Sequence, residues 1–366
     1  MNWDALIRAD VAPLTPYAPG LRGSEVRERT GADEIRKLSS NENPYGPVPQ
    51  AIAGMRAVLP FLNRYPDGSS RALRRRIAEH LGVDERFVAV GNGSNELLRV
   101  IGEAILGPGD EAVFAWPSFV VYPMVCQLMG ATAVKVPLAA GEVHDLDAML
   151  AAINERTKIV FMCNPNNPTG TIYTREAFDR FIAAVPEHVL VVLDEAYFEY
   201  VTSPDYPNGL DYFDGVKPIV VLRTFSKMYS LAGLRVGYGV MPEAMVDAVN
   251  KVRDPFNVNT VAQVAAYYSL DAAVEVARRR AENARERDRL GEAFDRLGIT
   301  WAPSETNFVY IASERSKELF DELLGHGIIV RDFGTAPALR VGVGTPEDTD
   351  ATIAAFERVM AERGAL

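Results

Sequence analysis

Residues 219–239 read IVVLRTFSKMYSLAGLRVGYG, and the fold can be worked out from how this stretch divides. Ile219 to Leu222 form an apolar run of strand length, 223–227 a polar turn, and small and apolar residues continue to Gly239. Lys227 therefore stands just past a buried strand, between Ser226 and Met228. Burial strips water from an ammonium group, lowers its pKa and leaves a neutral amine, the form that Schiff-base chemistry needs. A solvated loop lysine is the plain alternative for this residue taken alone. A second run, 189–193, is apolar without alternation, as expected of a strand covered on both faces. It leads straight into Asp194-Glu195-Ala196-Tyr197. A carboxylate at the carboxyl end of a buried parallel strand lies where open α/β sheets bind their ligands.

The surroundings of Lys227 sharpen its reading. Thr224 and Ser226 flank the turn and Arg235 follows eight residues after the lysine. Two hydroxyls, the N–H groups of the turn and a guanidinium make a cradle for a phosphate monoester. An amine beside such a cradle suggests a phosphorylated aldehyde, pyridoxal phosphate. The string SK-x-x-x-LAGLR-x-GY resembles the lysine segment of the fold-type I pyridoxal-phosphate aminotransferases, the aspartate aminotransferase superfamily.

Composition sets the outer bounds. The chain has 366 residues, 48% hydrophobic and 24% charged, which suits a soluble globular protein of two or three domains. Its net charge of −11 argues against a nucleic-acid partner. The triplets at 74–76 and 278–280, three arginines each, have acidic neighbours and read as solvated helix faces. Cys126 and Cys163 lie in apolar stretches and read as core thiols of a reducing compartment. Four scattered histidines have no ligand spacing, so no metal site is expected. No apolar run is long enough to cross a bilayer and the first ten residues carry no signal-peptide pattern, so the expected location is the cytoplasm.

Further along, residues 1–30 read as an extended arm around PLTPYAPG, with Tyr17 its aromatic. Tyr65-Pro66-Asp67-Gly68 is a turn, and Ser69 or Ser70 is placed to cap a helix over 71–81. Gly91-Asn92-Gly93-Ser94-Asn95-Glu96 joins a strand to a helix, a turn that can hold an anion on free N–H groups but lacks the third glycine of a dinucleotide fingerprint. Trp116-Pro117-Ser118-Phe119 opens another helix, and Phe119 by itself is a core residue or a stacking face. NPNNPTG at 164–170 is a rigid turn. In the tail, strand 328–331 and strand 338–342 carry Arg331 and Arg340. Arginine within an apolar strand calls for an anion, either a structural carboxylate or a ligand.

The resemblance covers nearly the whole chain, in the ordered strings NPNNPTG, DEAY, TFSK and LAGLR. It implies an α/β fold: a large domain, 46–255, with a mostly parallel seven-stranded sheet sandwiched by helices. It also implies a smaller α+β domain from the N-terminal and C-terminal segments, 31–45 and 256–366, beyond an arm over 1–30. It implies roles residue by residue. Lys227 carries the cofactor, Asp194 meets the ring nitrogen, Asn167 and Tyr197 donate to the phenolic oxygen, and Phe119 stacks on the ring. Gly93, Ser94, Asn95, Thr224, Ser226 and Arg235 hold the phosphate, joined by Tyr65 from a neighbouring subunit, which makes the enzyme a homodimer with shared sites. Tyr17, Asn41, Arg331 and Arg340 bind substrate. Within the superfamily PYAPG, SSNENPYGP, RYPDG and GIIVRD…LRVGVG are similar to the histidinol-phosphate aminotransferase family. This implies amino transfer between histidinol phosphate and 2-oxoglutarate. An aromatic amino-acid aminotransferase shares these strings. A threonine-phosphate decarboxylase and a cofactor-binding protein without turnover are more distant readings.

Overall fold

The computed structural model describes residues 6–16, 20–334 and 337–363. In chain order its strands are β1 (Arg36–Lys37), β2 (Val88–Gly91), β3 (Glu111–Trp116), β4 (Thr132–Pro137), β5 (Thr157–Cys163), β6 (Leu190–Asp194) and β7 (Ile219–Thr224). They continue with β8 (Gly237–Val240), β9 (Trp301–Ala302), β10 (Phe308–Ala312), β11 (Ile328–Ile329), β12 (Arg331–Asp332) and β13 (Ala338–Gly342). Seven form one sheet in the order β2-β8-β7-β6-β5-β3-β4. All run parallel except β8, which is antiparallel to both neighbours. This is the α/β architecture expected of the family.

The unbroken apolar runs have a simple cause. Successive side chains point to opposite faces of a sheet, and here both faces are covered. Leu193, Val191, Val221 and Ile219 join one buried cluster, and Leu190, Val192, Val220 and Leu222 join another. Every residue of β6 and β7 is buried. The polar residues of β6 and β7 are confined to their last positions, Asp194, Arg223 and Thr224.

A second unit combines the two ends of the chain. Its sheet has the order β12-β13-β10-β9, all antiparallel. Phe294, Leu323 and Phe356, from helices Ala273–Leu297, Ser316–Gly325 and Pro346–Arg363, fill one core with Val309, Leu339 and Val341. β1 pairs in parallel with β11, and Gly342 N–H donates to the Leu38 carbonyl at 2.9 Å. The chain's early segment is thus stitched to its late one.

Several local expectations shift. The arm expected over 1–30 includes a helix, Gly23–Thr30, whose Val26 is fully buried with Leu324 and Ile329. The proline- and glycine-rich part masks this one amphipathic turn. Ser70 precedes helix Arg71–Leu81 but makes no side-chain cap. Asp67 takes that role, accepting from Ser69 N–H at 2.9 Å and Arg71 N–H at 2.8 Å. The strand expected over 328–331 breaks at Val330 and feeds two different sheets. Val258, Ala262 and Ala266, assigned above to the smaller domain, pack in the large sheet's core, because helix Thr260–Ser269 lies against helix Pro49–Val58.

Candidate active site

The groups expected to do chemistry converge at the carboxyl ends of the parallel strands. Gly93–Asn95 follow β2, Phe119 follows β3, Asn167 follows β5, Asp194 ends β6 and Lys227 follows β7. The register β5–β6–β7 sets Cys163, Asp194 and Leu222 side by side, so the turns after these strands open on one cleft.

Lys227 is half-buried, and its ammonium donates to the Ser40 carbonyl at 3.4 Å. Loss of water lowers its pKa to about 7, helped by the positive charges of Arg340 and Arg235 and opposed by Glu42 and Asp194. Near neutral pH much of this amine is therefore unprotonated. Its nitrogen lies 5.7 Å from the centre of the Tyr197 ring. Tyr197 is buried, meets Phe308 edge to face at 5.1 Å and accepts from the Asn41 amide at 2.8 Å. Burial holds its phenol above the ordinary range. Asn41 adopts a left-handed backbone (φ 53°), which asparagine tolerates better than most residues.

Asp194 is 2% exposed. Its Oδ2 accepts from the Tyr122 hydroxyl at 2.9 Å, whereas its Oδ1 is buried with no hydrogen-bond partner. Burial raises this carboxyl to about 6, with the Tyr122 and Ala196 hydrogen bonds pulling the other way. A buried carboxylate oxygen without a donor is costly, and a ligand N–H is what would satisfy it. Across the cleft, the Asn167 amide oxygen accepts from Arg340, leaving its NH2 as the free donor of that side chain.

At the other end, Ser226 N–H donates to Thr224 Oγ1 at 3.1 Å, and Thr224 Oγ1 donates to Ser226 Oγ at 3.0 Å. The Arg235 guanidinium reaches Ser226 Oγ at 3.5 Å and is anchored on the Ala232 carbonyl at 3.0 Å. Helix Ser94–Ile105 presents its first turn to the same place, with N–H groups that no intrahelical carbonyl can serve. Gly93 precedes it at φ 84°, and a Cβ there would lie 2.8 Å from Arg235 NH2. The dihedral favours glycine, and a side chain here would push the guanidinium aside. Gly93→Ala is expected to displace the guanidinium and weaken binding of a phosphate monoester about tenfold or more, read by equilibrium dialysis.

Comparison with known proteins bears on this cleft. The sequence matches the Aminotransferase class I and II family over residues 33–356. This chain belongs to that family. It is 44% identical to the histidinol-phosphate aminotransferase of Moorella thermoacetica, over 97% of this chain and 93% of the relative. It is likewise 44% identical to histidinol-phosphate aminotransferase 2 of Pseudomonas aeruginosa, over 98% of both. The crystal structure of histidinol-phosphate aminotransferase from Sinorhizobium meliloti in complex with pyridoxal-5'-phosphate superposes with a TM-score of 0.87 at 27% identity, covering 96% of this chain and 98% of that one.

In this aminotransferase Arg331 and Arg340 are direct cross-strand partners on β12 and β13, and Tyr310 faces Arg340 from β10. Directly opposed residues share a face, so the side chains of Arg331 and Arg340 leave the sheet on the same side. Arg340 donates to the Ser39 carbonyl at 2.9 Å and lies 5.1 Å from the Phe308 ring centre. Phe119 is half-buried, edge-on to Tyr122 at 5.8 Å. Tyr65 is not brought into the cleft by its own chain. It is 82% exposed and stacked on Phe256 at 4.6 Å. Tyr17 lies outside the described residues.

Two features of the aminotransferase site escape a reading of the sequence. Tyr122 follows Phe119 by three residues, a helical spacing that was the available signal for their sharing a face. Arg279, read as part of a solvated face, is buried. It donates to Ser230 Oγ at 2.7 Å, the Gly46 carbonyl at 2.8 Å and the Met228 carbonyl at 3.3 Å, so it ties the lysine turn to the Asn41 loop. Its flanking acids matched those of a surface helix, and only the packing of Ala273–Leu297 against the lysine turn distinguishes it. Cys126 and Cys163 are buried free thiols, and no cluster of potential metal ligands occurs among the described residues.

Proposed function

We propose that this aminotransferase uses pyridoxal 5'-phosphate to move an amino group from histidinol phosphate to 2-oxoglutarate. The residues fit that cofactor. The unpartnered Asp194 Oδ1 suits a ring N–H, the Gly93–Arg235 cradle suits a phosphate, and the desolvated Lys227 amine lies between those two ends. When bound, the cofactor supplies an aldehyde that takes and returns the amino group and a ring that accepts the electron pair left on the substrate carbon.

The chain supplies the rest. Lys227, increasingly neutral as pH rises through its pKa of about 7, would hold the aldehyde until the substrate amine takes its place, and the freed amine would then carry a proton away from the substrate carbon. Asp194, ionised above about 6, keeps the ring nitrogen protonated. The Tyr197 hydroxyl and the Asn167 amide donate to the phenolic oxygen, and Phe119 covers one ring face. Gly93, Ser94, Asn95, Thr224, Ser226 and Arg235 hold the phosphate. Arg340, Arg331 and Asn41 take the far anionic end, and Tyr17 is assigned to the same task from the family resemblance alone. A fork of guanidiniums accepts a carboxylate or a phosphate alike, which is how one pocket serves both glutamate and a phosphorylated alcohol.

Arg340→Gln is expected to lower kcat/KM for glutamate and for histidinol phosphate by about 100-fold each, mostly through KM. Equal KM values in variant and parent would remove Arg340 from the substrate site. The substrate assignment is carried by one observation, the match at 44% identity over nearly full length to proteins of that name. Its test is turnover of histidinol phosphate against phenylalanine at equal concentrations. A preference for phenylalanine would replace it with the aromatic aminotransferase reading.

A homodimer with shared sites belongs to the same proposal, and so does a cytoplasmic location. Leu59, Phe61, Leu62, Tyr65 and Phe256 are all exposed apolar residues near the turn that carries Tyr65. Such a patch is suited to a second copy, and a fully active monomer in solution would refute it. Among the described residues no helix is long and apolar enough to cross a membrane.

A further inference from the structure

We infer that Tyr122 is a positioning residue for the ring-facing carboxylate: its hydroxyl holds Asp194 by Oδ2, presenting Oδ1 to the cofactor's ring nitrogen, while its ring backs Phe119. The inference rests on the cofactor reading above and extends it to a residue outside the expected set. Four observations carry it. The Tyr122 side chain is fully buried, and its hydroxyl lies 2.9 Å from Oδ2. A carboxylate only accepts, so the phenol is the donor. Oδ1 of the same carboxylate has no partner. The Tyr122 ring is clamped, stacked on Phe161 at 4.8 Å with 3° between planes and edge-on to Phe119 at 5.8 Å and 85°. A partial rotation of Asp194 that turned both oxygens away from this pose would break the one side-chain hydrogen bond this carboxylate makes among the described residues.

An O–H donating to an ionised carboxylate is a strong, short bond that favours the charged form. The other groups that act on Asp194 are Glu195, which follows it in the chain and disfavours its charge, and Lys227, which favours it. Cys163 on β5 and Tyr197 after β6 also face this site, and both are held protonated by burial. Removing the Tyr122 hydroxyl therefore leaves the carboxylate with the backbone N–H of Ala196 and the charge of Lys227 as its stabilisers. Protonation then reaches further toward neutral pH, and the ring nitrogen loses its charged partner there.

The test uses the full chain stripped of cofactor and titrated with pyridoxal 5'-phosphate from pH 5 to 9. Tyr122→Phe keeps the ring packing and deletes one oxygen. Its dissociation constant is expected to rise about tenfold at pH 7, with the acid limb of log Kd against pH displaced upward by about one unit. Phe119→Leu serves as the contrast, expected to weaken binding at all pH values with the limb unmoved. Tyr122→His, which retains an N–H donor, is expected to bring the limb back toward the parent. It replaces Tyr122→Phe as the deciding variant should that one not fold. The inference is overturned if Tyr122→Phe binds like the parent, or if it behaves like Phe119→Leu, which would reduce Tyr122 to a packing residue. A parent protein that fails to bind pyridoxal 5'-phosphate at all sinks the cofactor reading instead, and this inference with it.

Discussion

Lys227→Met is expected to lower amino transfer by about 10⁵-fold at saturating cofactor, because in the proposed mechanism it removes both the attachment point and the proton carrier. Single-turnover conversion of glutamate measures the rate, and borohydride treatment followed by mass mapping measures the attachment. A variant that transfers amino groups at the parental rate would end the proposal. Methionine is one atom shorter than lysine and fills most of the same space, so the loss reports chemistry more than a void. The same variant carries a second expectation, for the cofactor-free protein. In the unfolded chain this lysine holds its proton up to its ordinary value of 10.5, in the folded chain only to about 7. Between those values the unfolded state binds more protons, so the parent gains stability as pH rises through the window and loses it as pH falls toward 7. Lys227→Met lacks that loss. It is expected to melt about 3 °C higher than the parent at pH 7, with the gap closing toward pH 10.5. A gap independent of pH would show that the lysine is not desolvated.

Asp194→Asn is expected to cost about 10³-fold in kcat, since it replaces a preorganised charge by a neutral amide of the same shape. The amide has one oxygen. If Tyr122 keeps it, the NH2 group faces the ring nitrogen and opposes its protonation. Pre-steady-state decay of the substrate C–H bond is the measurement, and a kcat within threefold of the parent would remove the carboxylate from the mechanism. The stability sign is opposite to that of an ordinary acid. The folded pKa of Asp194, about 6, stands above the reference 3.8. Its protonated form contributes stability that is full below 3.8 and lost as pH rises through 6. Cofactor-free Asp194→Asn should therefore melt above the parent at pH 7 and lack the parent's decline in stability between about pH 4 and 6.

The two variants test opposite ends of one arrangement. Lys227 and Asp194 are both half or fully buried, and each pushes the other toward its charged form. Both are desolvated without the cofactor, and its binding as proposed would offset that cost. Such strain concentrates where chemistry is done. The buried pair Arg223–Glu195, by contrast, is closed on itself: Arg223 meets Glu195 through two bonds, Nε at 2.9 Å and NH2 at 2.8 Å, and has the Asn208 oxygen at 2.8 Å. The contrast separates a structural ion pair from a waiting site.

Much of this was legible without coordinates. The unbroken apolar runs at 189–193 and 219–222 already required a sheet covered on both faces. Polar strings immediately after them required a cleft at the carboxyl edge. Lys227, Asp194 and Asn167 each follow or end such a run, so their convergence follows from parallel strands in one sheet. Glycine at 93 was readable as a turn residue, though the guanidinium that a side chain there would displace was not.

Other features were decided only by tertiary packing, because contacts between distant segments leave no period in the chain. Arg279 looks like its neighbours Arg278 and Arg280 and differs only in being pressed against the lysine turn, about 50 residues away in sequence. Tyr122 becomes Asp194's donor because β3 and β6 flank β5 in the sheet, which brings residues 72 apart within a hydrogen bond. Whether Arg331 and Arg340 act together depended on the register of β12 against β13. Local sequence thus determined which residues end buried strands, through the period of their hydrophobicity. The order and register of those strands, set by the whole core at once, decided which of those residues meet.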